Sequence, residues 1–438
     1  MTTTPPSSSA SAIVSRYRWV VCALLFFATT INYIDRQILA LIKPILDEQL
    51  HWTNEQYGLT NSFFQGAYAV SLLGFGWLVD RIGTKRGYAV SIFAWSVAAI
   101  SHAMVFSISG FYMARIALGL GEGGNFPSAI KAVALWFPKR ERATCTAIFN
   151  SGTNVGAIIA PLAVPPIALA LGWHWAFIFA GIAGIVWLFF WIPFYNVPEK
   201  IKAVNAAELD LIQSDRDDTS RDGERISWLG LLGYRQTWAF VVAKGLTDPV
   251  WWFFLTWLPD FFKSTRHLDI KNSGYMLATI YGLATVLSIG SSWIIGRLVR
   301  SGWSVTRARK TGMFIFACAV IPIILVKDVG DWQAVWLIGL ACAAHQSWSA
   351  NLFTTASDMF PKRAVASVVG LGGMAGSVIG MIFPIYAGHL LDIFKAKDNV
   401  SGGYAILFGI CASAYLLAFV LQHLLAPKFE MVELDKPA

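Results

Sequence analysis

The chain reads as an all-α membrane protein with twelve transmembrane helices in two six-helix, pseudo-symmetric bundles. Three observations predict this. Of 438 residues, 56% are hydrophobic and only 14% are charged, against about 25% charged residues in an ordinary soluble domain. Apolar stretches of about 20 residues, long enough to cross a hydrocarbon core of about 30 Å, recur along the whole chain. One long polar stretch, 198–235, divides them six and six.

In order, the apolar stretches cover 19–42, 57–79, 87–106, 110–136, 144–171 and 174–195, then 237–262, 273–299, 311–326, 332–357, 364–391 and 403–426. A soluble reading would need one core larger than domains of this size build. The organisation expected is a disordered cytoplasmic tail over 1–16 and an N-terminal bundle over 17–197. A cytoplasmic linker follows over 198–235, with a short surface helix near 206–214. A C-terminal bundle over 236–427 and a cytoplasmic tail over 428–438 complete the chain. The Thr, Pro and Ser run at 1–11 lacks the charged segment, short apolar run and cleavage site of a signal peptide.

The net charge of +8 would suit nucleic acid if the basic residues were clustered on one surface, but they fall in alternate loops. Arg16 and Arg18 precede the first stretch. Arg81, Lys85 and Arg86 follow the second, and Lys139, Arg140 and Arg142 follow the fourth. Arg300, Arg307, Arg309 and Lys310 follow the eighth, and Lys362 and Arg363 the tenth. This positive-inside pattern predicts an inner-membrane protein, multi-pass in the bilayer, with both termini cytoplasmic. It argues against a nucleic-acid partner. The five cysteines (Cys22, Cys145, Cys318, Cys342, Cys411) fall in or beside apolar stretches, without pairing or metal-ligand spacing. No metal or cofactor is expected.

The halves repeat one pattern. Phe137-Pro138-Lys139-Arg140 leads to glycines at 152 and 156 and to Ala160, with Pro161 next. Phe360-Pro361-Lys362-Arg363 leads to glycines at 372, 376 and 380, with Pro384 beyond. Small residues every fourth position form a groove that lets another helix approach closely. Because both halves carry the ladder, the reading preferred is a smooth surface between the halves rather than packing within each.

Charges inside a membrane are costly, and each is a functional hypothesis. Asp35 and Arg36 follow Asn32-Tyr33 in the first stretch. Arg115 and Glu122 lie in the fourth, close to two turns apart and hence on one face. Lys244 and Asp248 have the i,i+4 spacing of a pair, and His345 stands beside Gln346 in the tenth stretch. Each has a plain structural alternative: a membrane-edge location for Asp35–Arg36, buried pairs for Arg115–Glu122 and Lys244–Asp248, a hydrogen-bonded core histidine for His345. Lys131 is read as snorkelling and is given no role. Together, two carboxylates and two guanidinium groups in the first half suggest proton-linked movement of an anion. A carboxylate can take up a proton while substrate occupies its arginine and lose it when the arginine returns.

The loop after the second stretch, Gly76-x-Leu78-x-Asp80-Arg81-x-Gly83-x-Lys85-Arg86, resembles the signature loop of the major facilitator superfamily. That resemblance implies a latch between halves on the cytoplasmic side, built from Gly76, Asp80, Arg81, Gly83, Lys85 and Arg86. Asn32-Tyr33-Ile34-Asp35-Arg36, Gly121-Glu122-Gly123-Gly124-Asn125-Phe126-Pro127 and Trp136-Phe137-Pro138 are similar to the anion:cation symporter branch. Lys244-xxx-Asp248-Pro249-x-Trp251 and Ala344-His345-Gln346 resemble its bacterial hexuronate transporters, importers of glucuronate and galacturonate with protons. The resemblance implies proton handling by Asp35 and Glu122, with Arg115 tuning Glu122. It implies substrate contacts from Arg36 (the carboxylate), Tyr68, Asn150, Thr153, Lys244, Asp248, His345, Gln346 and Trp348. It also implies a monomer whose partners are a small organic anion, protons and the lipid bilayer. Alternatives are symport of galactonate, glucarate or an aromatic acid, or a non-transporting sensor. No nucleophile–base pair or phosphate-cradling loop supports an enzyme.

Overall fold

The computed structural model describes residues 15–214 and 228–433. The expected tail over 1–14, the middle of the linker (215–227) and the last residues, 434–438, lie outside the described residues. In chain order the helices are α1 (Tyr17–Leu50), α2 (Asn54–Ile82), α3 (Thr84–His102), α4 (Ile108–Glu122), α5 (Asn125–Trp136), α6 (Lys139–Leu171) and α7 (His174–Phe194). The linker carries α8 (Ala206–Gln213) and α9 (Trp228–Leu231). The second half contains α10 (Arg235–Arg266), α11 (Ile270–Arg300), α12 (Val305–Val320), α13 (Asp331–Met359), α14 (Lys362–Lys395) and α15 (Val400–Leu425).

Each expected stretch lies on one helix or one interrupted helix. The fourth breaks between α4 and α5 at Gly123-Gly124, and the ninth continues from α12 as the 3-10 segment Ile321–Asp328, opened by Pro322. Among the described residues, eight helical spans are long and apolar enough to cross a membrane, with mean hydropathy between 1.3 and 2.2. The other four crossings are α3, the α4–α5 pair, α10 and α13, the last three of which carry Arg115 and Glu122, Lys244 and Asp248, and His345 and Gln346 respectively. Side chains of Thr53, Ser107, Asp269, Ser304 and Asn399 accept the first free backbone N–H groups of α2, α4, α11, α12 and α15, which satisfies donors that lipid could not.

With twelve crossings, α1 begins and α15 ends at one end of the molecule, the terminal end. The halves meet at the opposite, far end. Gly58 lies against the backbone of Pro384 and Ile385, Gly388 against Asn54 and Glu55, and Gly274 against Pro161. Any of these positions would overlap backbone if it carried a methyl group. One core cluster there joins Ile38, Ile42, Leu46 and Tyr57 of the first half to Val250, Trp257 and Phe261 of the second. Towards the terminal end the first half has a core of its own, including Val21, Leu25, Tyr88 and Trp136. Gly74 and Gly76 of α2, Gly290 of α11 and Gly370 and Gly373 of α14 meet open space. The close backbone contacts between the halves thus gather at the far end, and a methyl group on these terminal-end glycines would touch no neighbouring helix.

The far-end seal is polar as well as apolar. Lys43, 2% exposed, donates to Asp47 (2.8 Å) on its own helix and to Asp260 (2.6 Å) across the interface. The Tyr57 hydroxyl donates to the Thr256 carbonyl at 2.7 Å. Asp392 accepts the backbone N–H groups of Asn54 (3.0 Å) and Glu55 (2.9 Å), so a carboxylate of one half caps a helix of the other.

The glycine ladders serve packing within each half, contrary to the reading preferred from sequence. Gly152 and Gly156 of α6 sit on α1 at Phe26, Thr30 and Tyr33. Gly372, Gly376 and Gly380 of α14 sit on α10 at Phe240, Asp248 and Trp252. Duplication of the ladder reflects duplication of this intra-half helix pair. The glycines that let the halves touch are others, outside any ladder.

The α2–α3 loop turns at Gly83 (φ 84°), a left-handed conformation that suits glycine. Asp80 accepts from Lys131 Nζ at 2.7 Å, and Lys131 also donates to the Val79 carbonyl at 2.9 Å. Lys131 thus braces the loop, a role its sequence position did not suggest, and Asp80 bonds within its own half. In the linker, Glu208 of α8 is fully buried. It accepts from the backbone N–H groups of Tyr17 and Arg18 and from the Arg18 guanidinium, tying α8 to the start of α1.

Candidate functional site

Between the halves, just on the terminal side of the seal, lies a cavity with about 390 Å³ of empty space, its mouth included. Arg36, Gln37, Asn61, Phe64, Gln65 and Arg115 line it from the first half, and Trp252, Leu255, Thr256 and Pro384 from the second. One wall is thus charged and amide-rich, and the other largely apolar.

Helix α1 supplies the central charge. Arg36 Nε donates to Glu122 Oε2 at 2.6 Å, with the two side chains 7% and 0% exposed. The guanidinium stands over the rings of Tyr68 (4.4 Å), Tyr33 (5.2 Å), Phe64 (5.3 Å) and Trp252 (5.5 Å). Such faces favour a cation where water is excluded. Among the described residues, Glu122 Oε1 has no hydrogen-bond partner, and neither do the two oxygens of Asp35, which is 1% exposed. The pairing differs from the one expected. The spacing of Arg115 and Glu122 along α4 places both on a buried face, but Arg115 lies about 10 Å nearer the far end. Arg36 of α1 reaches Glu122 instead.

The second half holds a separate group. Lys244 Nζ donates to both carboxylate oxygens of Asp248 (2.9 and 2.7 Å) and stands over the Phe353 ring at 4.4 Å. Along α10, Lys244 sits about 12 Å and Asp248 about 6 Å from Trp252, and Trp252 is the α10 residue that reaches Arg36. His345 stacks on Trp251 (5.2 Å, 7°), and its Nδ1 is 2.6 Å from the Tyr415 hydroxyl. Trp348 is fully buried, edge-on to Tyr415 at 5.7 Å. Gln346 is half-buried on another face of α13, Thr153 is buried and Asn150 is exposed on α6. Of the residues singled out from sequence, Asp35, Arg36, Tyr68, Arg115 and Glu122 gather in the first half. Lys244, Asp248, His345 and Trp348 gather in the second.

Sequence reasoning passed over Gln37, Asn61, Gln65, Trp252 and Thr256. Part of the signal was present: Asn61, Gln65 and Tyr68 recur at helical spacing in an otherwise apolar stretch. Trp252 carried none, because a tryptophan in a membrane helix is ordinary.

A family model described as Major Facilitator Superfamily matches residues 25–384, most of both halves. The chain belongs to the major facilitator superfamily. It is a multi-pass membrane protein with that superfamily's twelve-helix fold. It is 29% identical to the hexuronate transporter of Escherichia coli (strain K12) over 417 residues, which covers 94% of each chain. It is 29% identical to the D-galactonate transporter of Escherichia coli O6:H1 over 395 residues, covering 86% of this chain and 89% of the relative. Among solved structures it is similar to a bacterial homolog of the human lysosomal transporter Spinster in an inward-facing and occupied conformation. That likeness has a TM-score of 0.74 at 15% identity, covering 94% of this chain and 98% of the other, and bears on the fold alone. As in other major facilitators, the cavity lies where the two six-helix units face each other.

Proposed function

We propose that the protein is a proton-coupled symporter of a sugar acid, with a hexuronate as its substrate, working by alternating access in the inner membrane. The observation that carries this reading is the buried group Asp35–Arg36–Arg115–Glu122 beside a cavity sealed on one side. Guanidinium groups attract an anion, unpaired carboxylate oxygens can take protons, and amides suit hydroxyls. The curated relatives, named for sugar acids, support the same class of transported molecule. The basic loops lie at the terminal end, so that end faces the cytoplasm and the conformation described is open inward. The protein acts as a monomeric transporter rather than an enzyme.

In this cycle the Arg36–Glu122 pair is the coupling element. An anion arriving beside these guanidinium groups makes a negative charge on Glu122 more costly, and Glu122 then accepts a proton. Returning the proton to the cytoplasm restores the ion pair and releases the anion. One proton with one monovalent anion is electroneutral. A second, on Asp35, would add about 2.3 kcal/mol per 100 mV of membrane potential. Equal uptake rates with and without an imposed potential, at fixed pH gradient, would leave only one.

The test is uptake of labelled glucuronate into proteoliposomes with and without an inward proton gradient, in competition with galacturonate. Uptake that needs the gradient and is abolished by galacturonate is the expected result. Gradient-driven uptake of another acid would change the substrate, and absence of any organic-anion transport would overturn the reading. Trp252 provides a second check. Its indole rests against Gly380 and faces the cavity, positioned to cover the apolar C–H face of a sugar ring. Trp252→Leu is expected to raise the KM for glucuronate about 5- to 30-fold, equivalent to about 1–2 kcal/mol. Open-chain galactonate should be affected less. Equal effects on both acids would remove the stacking role.

A further inference from the structure

Arg36 is bonded through Nε to Glu122 and set among four ring faces. Arg115 is 1% exposed and lines the cavity, and its Nε and Nη2 atoms both lack a hydrogen-bond partner among the described residues. Those two atoms form one edge of the guanidinium, the edge that presents two parallel donors to the two oxygens of a carboxylate. A buried charged donor is costly to leave unpaired. Phe64, whose ring lies 5.6 Å from Arg115, supplies a face to that group but no acceptor for its edge.

The surrounding wall repeats the pattern. Gln37 and Gln65 are 2% and 4% exposed and line the same cavity. The Nε2 atom of the first and the Oε1 atom of the second also lack partners. These four unpaired atoms belong to three residues that line one space, opposite Trp252 and Pro384. This is an incomplete hydrogen-bond set, and an acid carrying hydroxyls would complete it.

Resting on the sugar-acid reading above, we propose that Arg115 is the receptor for the substrate carboxylate. Its Nε and Nη2 hold the two carboxylate oxygens side by side, while Gln37 and Gln65 take hydroxyl groups. Arg36 remains with Glu122 as the coupling pair. The anion then sits near the floor of the cavity, about 10 Å along α4 from Glu122. There it is next to the seal and is met early by a substrate arriving from the far side. Binding and coupling are divided between two arginines instead of being shared by one.

The test compares glucuronate with glucuronamide, its uncharged amide, by binding to the purified protein and by counterflow in proteoliposomes. Wild type is expected to prefer the acid. In Arg115→Lys, which keeps the charge and loses the fork, acid affinity should fall about 10- to 100-fold while amide affinity changes little. Arg115→Gln should abolish the preference. Arg36→Lys should keep the acid preference and shift the pH profile of transport, since it disturbs the partner of Glu122. Gln65→Leu, which leaves every charge in place, should weaken acid and amide alike. Melting profiles of each purified variant separate these changes from loss of fold. A wild type that discriminates, with an Arg115→Lys variant that discriminates as well, would overturn the receptor role of Arg115 and leave the transport reading standing. Loss of discrimination in Arg36→Lys alone would return the carboxylate to Arg36. A wild type indifferent to both compounds would overturn both readings.

Discussion

Glu122→Gln is expected to yield a protein that still exchanges its sugar acid across the membrane but no longer concentrates it. The side chain is fully buried and bonded to Arg36 at 2.6 Å, and glutamine keeps its size while removing the site for a proton. A pH difference of two units is worth about 2.7 kcal/mol per proton, which supports about a 100-fold accumulation of a monovalent anion. The variant should lose that factor and equilibrate to the outside concentration. Counterflow, which needs no net proton movement, should persist. Substrate affinity in exchange should hold or rise, since the variant has one anion fewer competing for the guanidinium groups. The measurement is the steady-state ratio of labelled glucuronate in proteoliposomes at a fixed pH gradient, beside counterflow in the same preparation. Accumulation near the wild-type level would move proton coupling to Asp35.

The second large effect concerns the seal. Lys43→Met removes the cation between Asp47 and Asp260 and leaves Asp260, with its side chain 6% exposed, as a buried charge without its counter-ion. Breaking a buried pair from one side costs about 3–5 kcal/mol. Here that cost falls on the conformation closed at the far end, because Asp260 meets Lys43 only when the halves touch there. Since about 5.5 kcal/mol carries a two-state equilibrium from 1:99 to 99:1, such a loss should strongly populate the form open at the far end. A cysteine placed at Thr256, behind the seal, should then react with a membrane-impermeant maleimide from that side many times faster. Asp260→Asn should act less strongly, because Lys43 retains Asp47. In the double variant Lys43→Met with Asp260→Asn no buried charge is left unpaired, because Asp47, whose side chain is 36% exposed, reaches water, so labelling should fall back toward the wild-type rate. Labelling unchanged in Lys43→Met would show that apolar packing around Tyr57 and Trp257 holds the seal unaided.

Neither Lys43 nor Asp260 stood out in the sequence. Lys43 falls just past the end of the first stretch and Asp260 near the end of the seventh, where a charge can reach water, and 217 positions separate them. Nothing local announces such a partner. Arg36 and Glu122 stood out individually as charges within apolar stretches, but their pairing across 86 positions depends on the relative depth of two helices. Spacing along α4 pointed to Arg115 as the partner, because spacing registers only neighbours on the same helix.

Hydropathy and loop charge determined the number of crossings, their division into two halves and the end at which the basic loops gather, since these depend on the cost of placing polar groups in lipid. Each is a property of about 20 consecutive residues. Individual groups with chemistry were equally visible, because an ionisable side chain inside an apolar stretch is expensive wherever its helix is placed. Only the tertiary structure decided which of them meet. It paired Arg36 with Glu122, left one edge of Arg115 free beside Gln37 and Gln65, put Trp252 opposite them and closed Lys43 on Asp260. It also turned the glycine ladders inward to pack each half and used Gly58, Gly274 and Gly388 for contact between halves. The physical reason is that a helix's sequence sets which face it buries, whereas its depth and its neighbour are set by packing against residues far along the chain.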